Sequence, residues 1–192
     1  MTKSRLEAFS DGVIAIIITI MVLELKIPHE ATFAALGELG PVAVSYLMSF
    51  IYVAIYWGNH HHLLHTVHHV TSGIIWSNMG LLFALSLIPF TTGWMGENHF
   101  EHIPLAVYSI NLMLCAVAFY FLQISIMKQH KITTALIEAL KKQERKGIIS
   151  LVMYVVSIVT AFFTPWIPAI LIIGTAVWWI IPDRNIERAL KE

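Results

Sequence analysis

The sequence contains few charged residues and almost no cysteine. Of its 192 residues, 12% are charged and 57% hydrophobic, whereas an average soluble domain has roughly 25% charged and 45–50% apolar residues. The single cysteine, Cys115, lies in an apolar stretch, which excludes a disulfide within one chain and a cysteine-rich metal site. A glycine-rich phosphate loop is also missing, and no feature is typical of nucleic-acid binding. The composition therefore indicates an integral membrane protein of one domain.

Six apolar stretches are long enough, or nearly long enough, to cross a membrane, for which a helix needs about 20 residues. We therefore predict an all-α membrane protein with six spanning helices in a single domain, residues 1–192. The predicted helices cover about residues 4–28, 41–63, 73–94, 103–130, 147–165 and 167–182. Ser4 and Glu7 have the spacing of a capping box at the first helix, and Pro28 ends it. Pro89 is expected to kink the third helix.

The basic residues predict the orientation. With six spans, eleven of the twelve lysines and arginines fall on one side of the membrane, and only Lys26 falls on the other. The positive-inside rule therefore places both termini in the cytoplasm, and we expect the chain in the plasma (cell inner) membrane. The segment Ala135–Leu140 is expected to lie on the membrane surface or to extend the fourth helix, and Lys141–Lys146 is expected to contact anionic lipid.

The first apolar stretch is preceded by Arg5, Ser10 and Asp11. Charged residues at the edge of a membrane segment are unfavourable and usually have a task. A helix turns by about 100° per residue, so one stripe of this segment collects Gly12, Ile16, Ile20, Leu23 and Ile27, with Thr19 at its edge. Copies of the helix around an axis would stack rings of large apolar side chains, which can gate a pore by dewetting. An ordinary lipid-facing helix would show the same stripe.

A histidine cluster follows the second apolar stretch. Its members are His60, His61, His62, His65, His68 and His69. The spacing resembles the histidine boxes of membrane di-iron enzymes, and His61, His65, His68 and His69 are the candidate metal ligands. Such enzymes need further boxes on the same side of the membrane, which this sequence lacks, so we expect no cofactor. A pH-sensitive loop, a single metal site, a plain polar loop and hydrogen-bond partners for helix 1 are the other interpretations.

Two carboxylates, Asp11 and Glu24, lie in or beside the first span. Such a pair is typical of a proton relay, so a proton-coupled transporter is an alternative function. Transporters usually contain inverted repeats and interrupted helices, and no repeat is visible here. A local ion pair between Asp11 and Arg5 is the simpler interpretation.

Three segments together resemble one family. They are Arg5 with Phe9-Ser10-Asp11-Gly12, then Tyr56-Trp57-Gly58-Asn59-His60-His61, and then Leu87-Ile88-Pro89-Phe90-Thr91. In this order and at these spans they resemble the signature of the transmembrane protein 175 family. This family comprises the endolysosomal potassium channels of animals and their prokaryotic relatives. The resemblance is close in the first half of the chain and rests on six-span topology in the second.

The resemblance implies a channel and not an enzyme. A chain with one repeat is expected to form a homotetramer whose first helices line a central pore, in contact with potassium ions and membrane lipids. Selectivity for potassium over sodium would be modest, because the family and this sequence lack the TVGYG carbonyl filter. Ile16 matches the apolar constriction, Thr19 a polar layer and Leu23 a further apolar ring, and Ile20 lies on the same stripe.

The resemblance also implies a structural role for the polar motif of helix 1. Its residues are Arg5, Phe9, Ser10 and Asp11. Their expected partners on neighbouring helices come from Trp57, Asn59, His60 and His61.

Overall fold

The regular structure in the described part of the chain is entirely helical, which confirms the predicted fold class. The computed structural model describes residues 1–128 and 134–180, without the side chains of residues 134–140. The α-helices are α1 (Lys3–Met21), α2 (Phe33–Glu38), α3 (Gly40–His65), α4 (Ser72–Ser86), α5 (Ile88–Glu97), α6 (His102–Met127), α7 (Thr134–Ala161) and α8 (Trp166–Ile180). One turn of 3-10 helix, Val22–Glu24, continues α1.

Four helical segments of the described chain are long and apolar enough to cross a membrane. They are Lys3–Glu24, Gly40–His65, Ser72–Glu97 and His102–Met127. The apolar helix α8 has 15 residues, fewer than a perpendicular span needs. Six spans therefore remain a prediction. Residues 129–130 and 181–182, at the ends of two predicted helices, lie outside the described residues, as do Lys131, Arg184, Arg188 and Lys191.

Helix α1 begins earlier and ends earlier than predicted. Its N-cap is Thr2, whose hydroxyl oxygen accepts a hydrogen bond of 3.4 Å from the backbone N–H of Arg5. The capping box at Ser4 is therefore wrong, because the first turn already includes Ser4 and its cap lies two residues upstream. At the other end the helix tightens into the 3-10 turn and stops at Glu24, well before Pro28.

The break between α4 and α5 lies close to the kink predicted at Pro89. Proline has no N–H, so the helical ladder is interrupted at this point. Oriented with its amide oxygen toward Ile88, the Asn111 side chain of α6 donates to Ala84 O at 3.0 Å and accepts from Ile88 N at 3.1 Å. These are the two groups that would bond to each other in a continuous helix. Asn111 thus fills a gap in the ladder that would otherwise leave the Ile88 N–H unpaired in the apolar core, since Ala84 O also accepts from Leu87 N at 3.3 Å.

The segment Ala135–Leu140 belongs to α7, so the expectation that it extends the fourth helix is wrong. Helix α6 ends at Met127, and α7 runs from Thr134 to Ala161 without interruption. The residues that connect this polar segment to the apolar stretch after Gly147 favour helix and include no proline, so the helix continues through them.

Helix α6 is central in the fold and packs against α4, α5 and α7, while α1 packs against α3, α4 and α5. Buried hydroxyls pair between helices: Thr92 donates to Ser49 at 2.6 Å, Ser49 bonds to Tyr108 at 2.9 Å, and Ser109 bonds to Ser157 at 3.0 Å. In an apolar environment such pairs satisfy groups that water cannot reach.

Gly96 lets α5 approach α3 closely, because a Cβ atom at this position would lie 2.8 Å from Val42 Cα. We expect Gly96→Leu to lower the thermal midpoint of the purified protein, since overpacking of a tight contact costs about 1–3 kcal/mol. Gly80→Ala on α4 is the control, because a Cβ there meets nothing within 4 Å. Equal midpoints for the two variants, measured by circular dichroism in detergent, would show that the contact is not tight.

Candidate functional site

The two faces of α1 differ in what covers them. The buried side chains follow helical spacing and pack on α3, α4 and α5; they are Leu6, Ser10, Ile14, Ile17 and Met21. On the opposite face Ile16 is 58% exposed and Leu23 74% exposed, whereas Ile14 is 1% exposed. Phe9 and Ile20 are uncovered on the same side. The described residues of one subunit therefore leave the predicted stripe of α1 largely uncovered.

Thr19 lies on the uncovered face, and its hydroxyl points back to its own helix. Oγ1 lies 2.8 Å from Ala15 O and 2.9 Å from Ile16 O, and donates its single hydrogen to this pair. The lone pairs of the Thr19 oxygen are the groups left for an outside partner. Polar side chains often bond in this way in apolar helices.

A chain of hydrogen bonds fixes the buried face of α1 to α3 and α4. His60 Nε2 donates to Asn78 Oδ1 at 2.7 Å, and Asn78 Nδ2 donates to Ser10 Oγ at 2.9 Å. Ser10 Oγ in turn donates to Leu6 O at 2.8 Å. Since Asn78 uses its oxygen for His60 and its nitrogen for Ser10, the chain has one direction, and it places the proton of His60 on Nε2. Ser10, His60 and Asn78 are all buried.

Asp11 is held by Trp57, whose Nε1–H donates to Asp11 Oδ1 at 2.9 Å. The predicted ion pair of Asp11 with Arg5 is wrong. Side chains six residues apart lie on different sides of a helix and do not meet. The side chain of Arg5 is exposed, and only its backbone N–H has a described hydrogen bond. Its predicted contact with neighbouring helices is not seen in the described part of the chain.

Asn59 lies apart from the α1 anchors. Its amide nitrogen donates to Ile55 O at 2.8 Å, and its oxygen accepts from Gln143 Nε2 of α7 at 3.2 Å. Of the four expected partners, Trp57 therefore bonds directly to the motif on α1, and His60 reaches it through Asn78. Asn59 instead connects α3 to α7.

The remaining histidines lie at the end of α3. The His61 ring stacks on Trp57 with centroids 6.1 Å apart, and it meets the His65 ring at 4.8 Å. Lys3 Nζ donates to the backbone oxygen of His65 at 2.8 Å, which places a cation at the C-terminus of α3. His68 and His69 are exposed beyond the helix. The described residues contain no group of three histidine, cysteine or acidic side chains arranged to hold a metal ion.

Glu24 lies in the 3-10 turn after α1, thirteen positions beyond Asp11 in the middle of α1, which corresponds to about 20 Å along the helix axis. The Glu24 carboxylate packs on Gly93 of α5, where a Cβ atom would lie 2.6 Å from Oε2. Nearby, Lys26 pairs with Glu97, and this hydrogen bond raises the pKa of the exposed Lys26 ammonium. The structure does not bring Asp11 and Glu24 together, so they form no direct relay.

Sequence reasoning missed Asn78, although it is the centre of the buried chain. An amide in the otherwise apolar stretch Gly73–Trp94 was an available signal, because a polar group at such a depth needs a partner. Asn111, which fills the break between α4 and α5, carries the same signal.

Comparison with known proteins agrees with this architecture. Residues 5–89 match the family model described as endosomal/lysosomal potassium channel TMEM175. A protein of a Chryseobacterium species, named a potassium channel, is 48% identical over 192 residues, covering 100% of both chains. A Streptomyces collinus protein, also named a potassium channel, is 34% identical over 125 residues, which is 61% of each chain.

A crystal structure has the same fold. It is that of a lysosomal potassium-selective channel TMEM175 homolog from Chamaesiphon minutus, with a TM-score of 0.81 and 24% identity, covering 95% of this chain and 97% of that one. The fold is thus that of a family of membrane channels, which is not a family of enzymes. The chain belongs to the transmembrane protein 175 (TMEM175) family.

Proposed function

We propose that four copies of this chain form a potassium channel in the cell inner membrane, with α1 lining a central pore and both termini in the cytoplasm. The observation that carries the proposal is the uncovered stripe of α1, whose other face is fixed to its own subunit. From Phe9 to Leu23 the stripe is about 20 Å long, which is most of the roughly 30 Å of a bilayer core.

The narrowest point of this pore is a ring of four Ile16 side chains. An apolar ring offers no replacement for the water around an ion, so the ion that gives up its hydration more readily passes more easily. Potassium is that ion when compared with sodium. Thr19, one turn further along, presents oxygen lone pairs that partly replace the lost water. Ile20 and Leu23 continue the apolar lining toward the end of α1.

The buried anchors have a separate task in this proposal. The chain from His60 through Asn78 to Ser10 and the bond from Trp57 to Asp11 fix the rotation of α1 about its own axis. A helix held in this rotation presents the same side chains to the axis in every subunit. The hydrogen bonds on the buried face therefore decide which side chains of the uncovered face point to the pore axis.

Ion flux into proteoliposomes tests this function. We expect potassium and caesium to enter faster than sodium, down their gradients and without a second substrate, and we expect a tetrameric mass by light scattering. Liposomes without protein are the control. Saturable uptake that requires a proton gradient would instead support the transporter alternative with Asp11 and Glu24.

Asp11→Ala is expected to reduce the yield of tetramer while the potassium-to-sodium ratio of the remaining channels stays the same. The change removes the acceptor of Trp57; because this hydrogen bond is exposed and water can replace the carboxylate, its loss costs about 0.5–1.5 kcal/mol. Size-exclusion chromatography and flux measure the two effects.

Trp57→Phe is the matched variant for Asp11→Ala, because it removes the donor of the same bond and keeps an aromatic ring. The two variants should give similar tetramer yields. A folded Asp11→Ala tetramer with an altered ion preference would place Asp11 in the ion path.

A further inference from the structure

A crevice lies inside the subunit, between α3, α6, α7 and α8, away from α1. Its volume is about 50 Å³, several times the roughly 10–15 Å³ that one water molecule needs, so it has room for a small polar group. The lower wall of the crevice is apolar, with Ile55, Ala116 and Leu151. Aromatic rings form much of the rest; they belong to Tyr52, Tyr56, Phe119, Tyr120, Tyr154 and Trp179.

Two acceptor groups of the crevice, from Gln143 and Glu144, are neighbours on α7. Gln143 is 3% exposed, and its Nε2 donates to Asn59 Oδ1 at 3.2 Å. Its Oε1 is buried and has no hydrogen-bond partner among the described residues. Beside it, Glu144 Oε1 accepts from the Tyr120 hydroxyl at 3.3 Å. The Trp179 N–H is already used, because it donates to Ser150 Oγ at 2.9 Å.

A ligand for these walls must supply N–H donors. A buried acceptor without a partner is unfavourable, and a donor from a ligand removes the penalty. A carboxylate among aromatic rings also attracts a positive charge, through a charge-assisted hydrogen bond and through cation–π contacts. We propose that the crevice binds the primary ammonium group of an amphipathic molecule, with Glu144 as its counter-ion and Gln143 as a second acceptor.

The source that fits best is a phospholipid with an ethanolamine headgroup. Lys141 and Arg145 are exposed on α7 within one turn of Glu144, so cations for a lipid phosphate lie next to the anion for its ammonium. Exposed apolar side chains continue along α7 through Ile148, Val152 and Val155, and they provide a surface for an acyl chain. A free hydrophobic amine has the same ammonium but no phosphate to place beside the basic residues.

Native mass spectrometry of the purified protein tests the proposal with three lipids: phosphatidylethanolamine, phosphatidylcholine and phosphatidylglycerol. We expect phosphatidylethanolamine to be retained about tenfold better than phosphatidylcholine, because the quaternary ammonium of phosphatidylcholine has no N–H. A factor of about ten corresponds to the loss of one charge-assisted hydrogen bond. Glu144→Gln should remove this preference and leave binding of phosphatidylglycerol unchanged. Glu30→Gln, an exposed carboxylate in the loop before α2, is the matched control.

Octylamine separates the two sources. One outcome is that octylamine binding depends on Glu144 while phosphatidylethanolamine is retained no better than phosphatidylcholine. The crevice would then bind an ammonium group, but the ligand that supplies it would not be a phospholipid. Equal retention of the three lipids together with no Glu144-dependent octylamine binding would overturn the proposal. Tyr120→Phe, which frees a carboxylate oxygen without changing its charge, should keep the preference. None of these measurements depends on ion flux, so they test the crevice separately from the channel.

Discussion

Sodium flux through the Ile16→Asn variant is expected to rise about tenfold relative to the unchanged protein. In the proposed tetramer the change replaces four apolar side chains at the narrowest point with four amides. Each amide oxygen can take the place of water around an ion, and a barrier lowered by about 1.4 kcal/mol gives a tenfold increase. Sodium holds its water more tightly than potassium, so it gains more. The ratio of potassium to sodium flux in proteoliposomes should therefore fall toward one.

Ile170→Asn is the control for this prediction. Ile170 is 68% exposed on α8, and the proposed arrangement places it away from the pore. If Ile16 only faced lipid, the two variants would behave alike and neither would change selectivity. An unchanged flux ratio in a properly assembled Ile16→Asn tetramer would remove Ile16 from the constriction and with it the proposed mode of selection.

Asn78→Leu is expected to destabilise the subunit more than any other single polar change on α4. Leucine has a similar size but leaves His60 Nε2–H without its acceptor and Ser10 Oγ without its donor inside the apolar core, although Ser10 still donates to Leu6 O. The loss should be about 1–3 kcal/mol, which corresponds to a fall of the thermal midpoint by about 5 °C or more. Circular dichroism in detergent measures the midpoint.

Asn98→Leu is the matched change, because Asn98 lies at the end of α5 and its side chain donates only to the nearby Trp94 O. Its midpoint should stay close to that of the unchanged protein. Ser10→Ala completes the test: if Ser10 and Asn78 act through one bond, the double variant loses less stability than the sum of the single variants. Additive losses of stability would show that Ser10 and Asn78 stabilise the protein independently of each other.

The all-α membrane class followed from composition and the stripe of α1 from the helical period, whereas the channel family followed from the resemblance of three segments. The four-residue motif at the start of α1 also pointed to an anchor. The partners in that anchor were less predictable. Arg5 was the nearest positive charge to Asp11 in the sequence, whereas Trp57 is its partner in the structure. The helical period predicts on which face of its helix a side chain lies, but it does not predict which other helix packs against that face.

Boundaries were harder to predict than faces. Thr2 and Ser4 are both good N-caps by residue type, and the structure uses Thr2. The start of α7 is polar and amphipathic and was therefore interpreted as a surface segment or an extension of the fourth helix, so its continuity with the following apolar stretch was hidden. Asn78 and Asn111 were visible as isolated amides, but their roles depend on the positions of three other helices. Long-range packing therefore decides the details that local pattern leaves open.

The direction of the Thr19 hydroxyl has a consequence for the sign of charge that can pass. Because the single hydrogen of each Thr19 is taken by its own helix, four such groups around an axis would offer oxygen atoms and no hydrogen. Chloride would find nothing there to solvate it, while any alkali metal ion would. The proposed pore would thus exclude anions without a fixed negative charge in its narrow part.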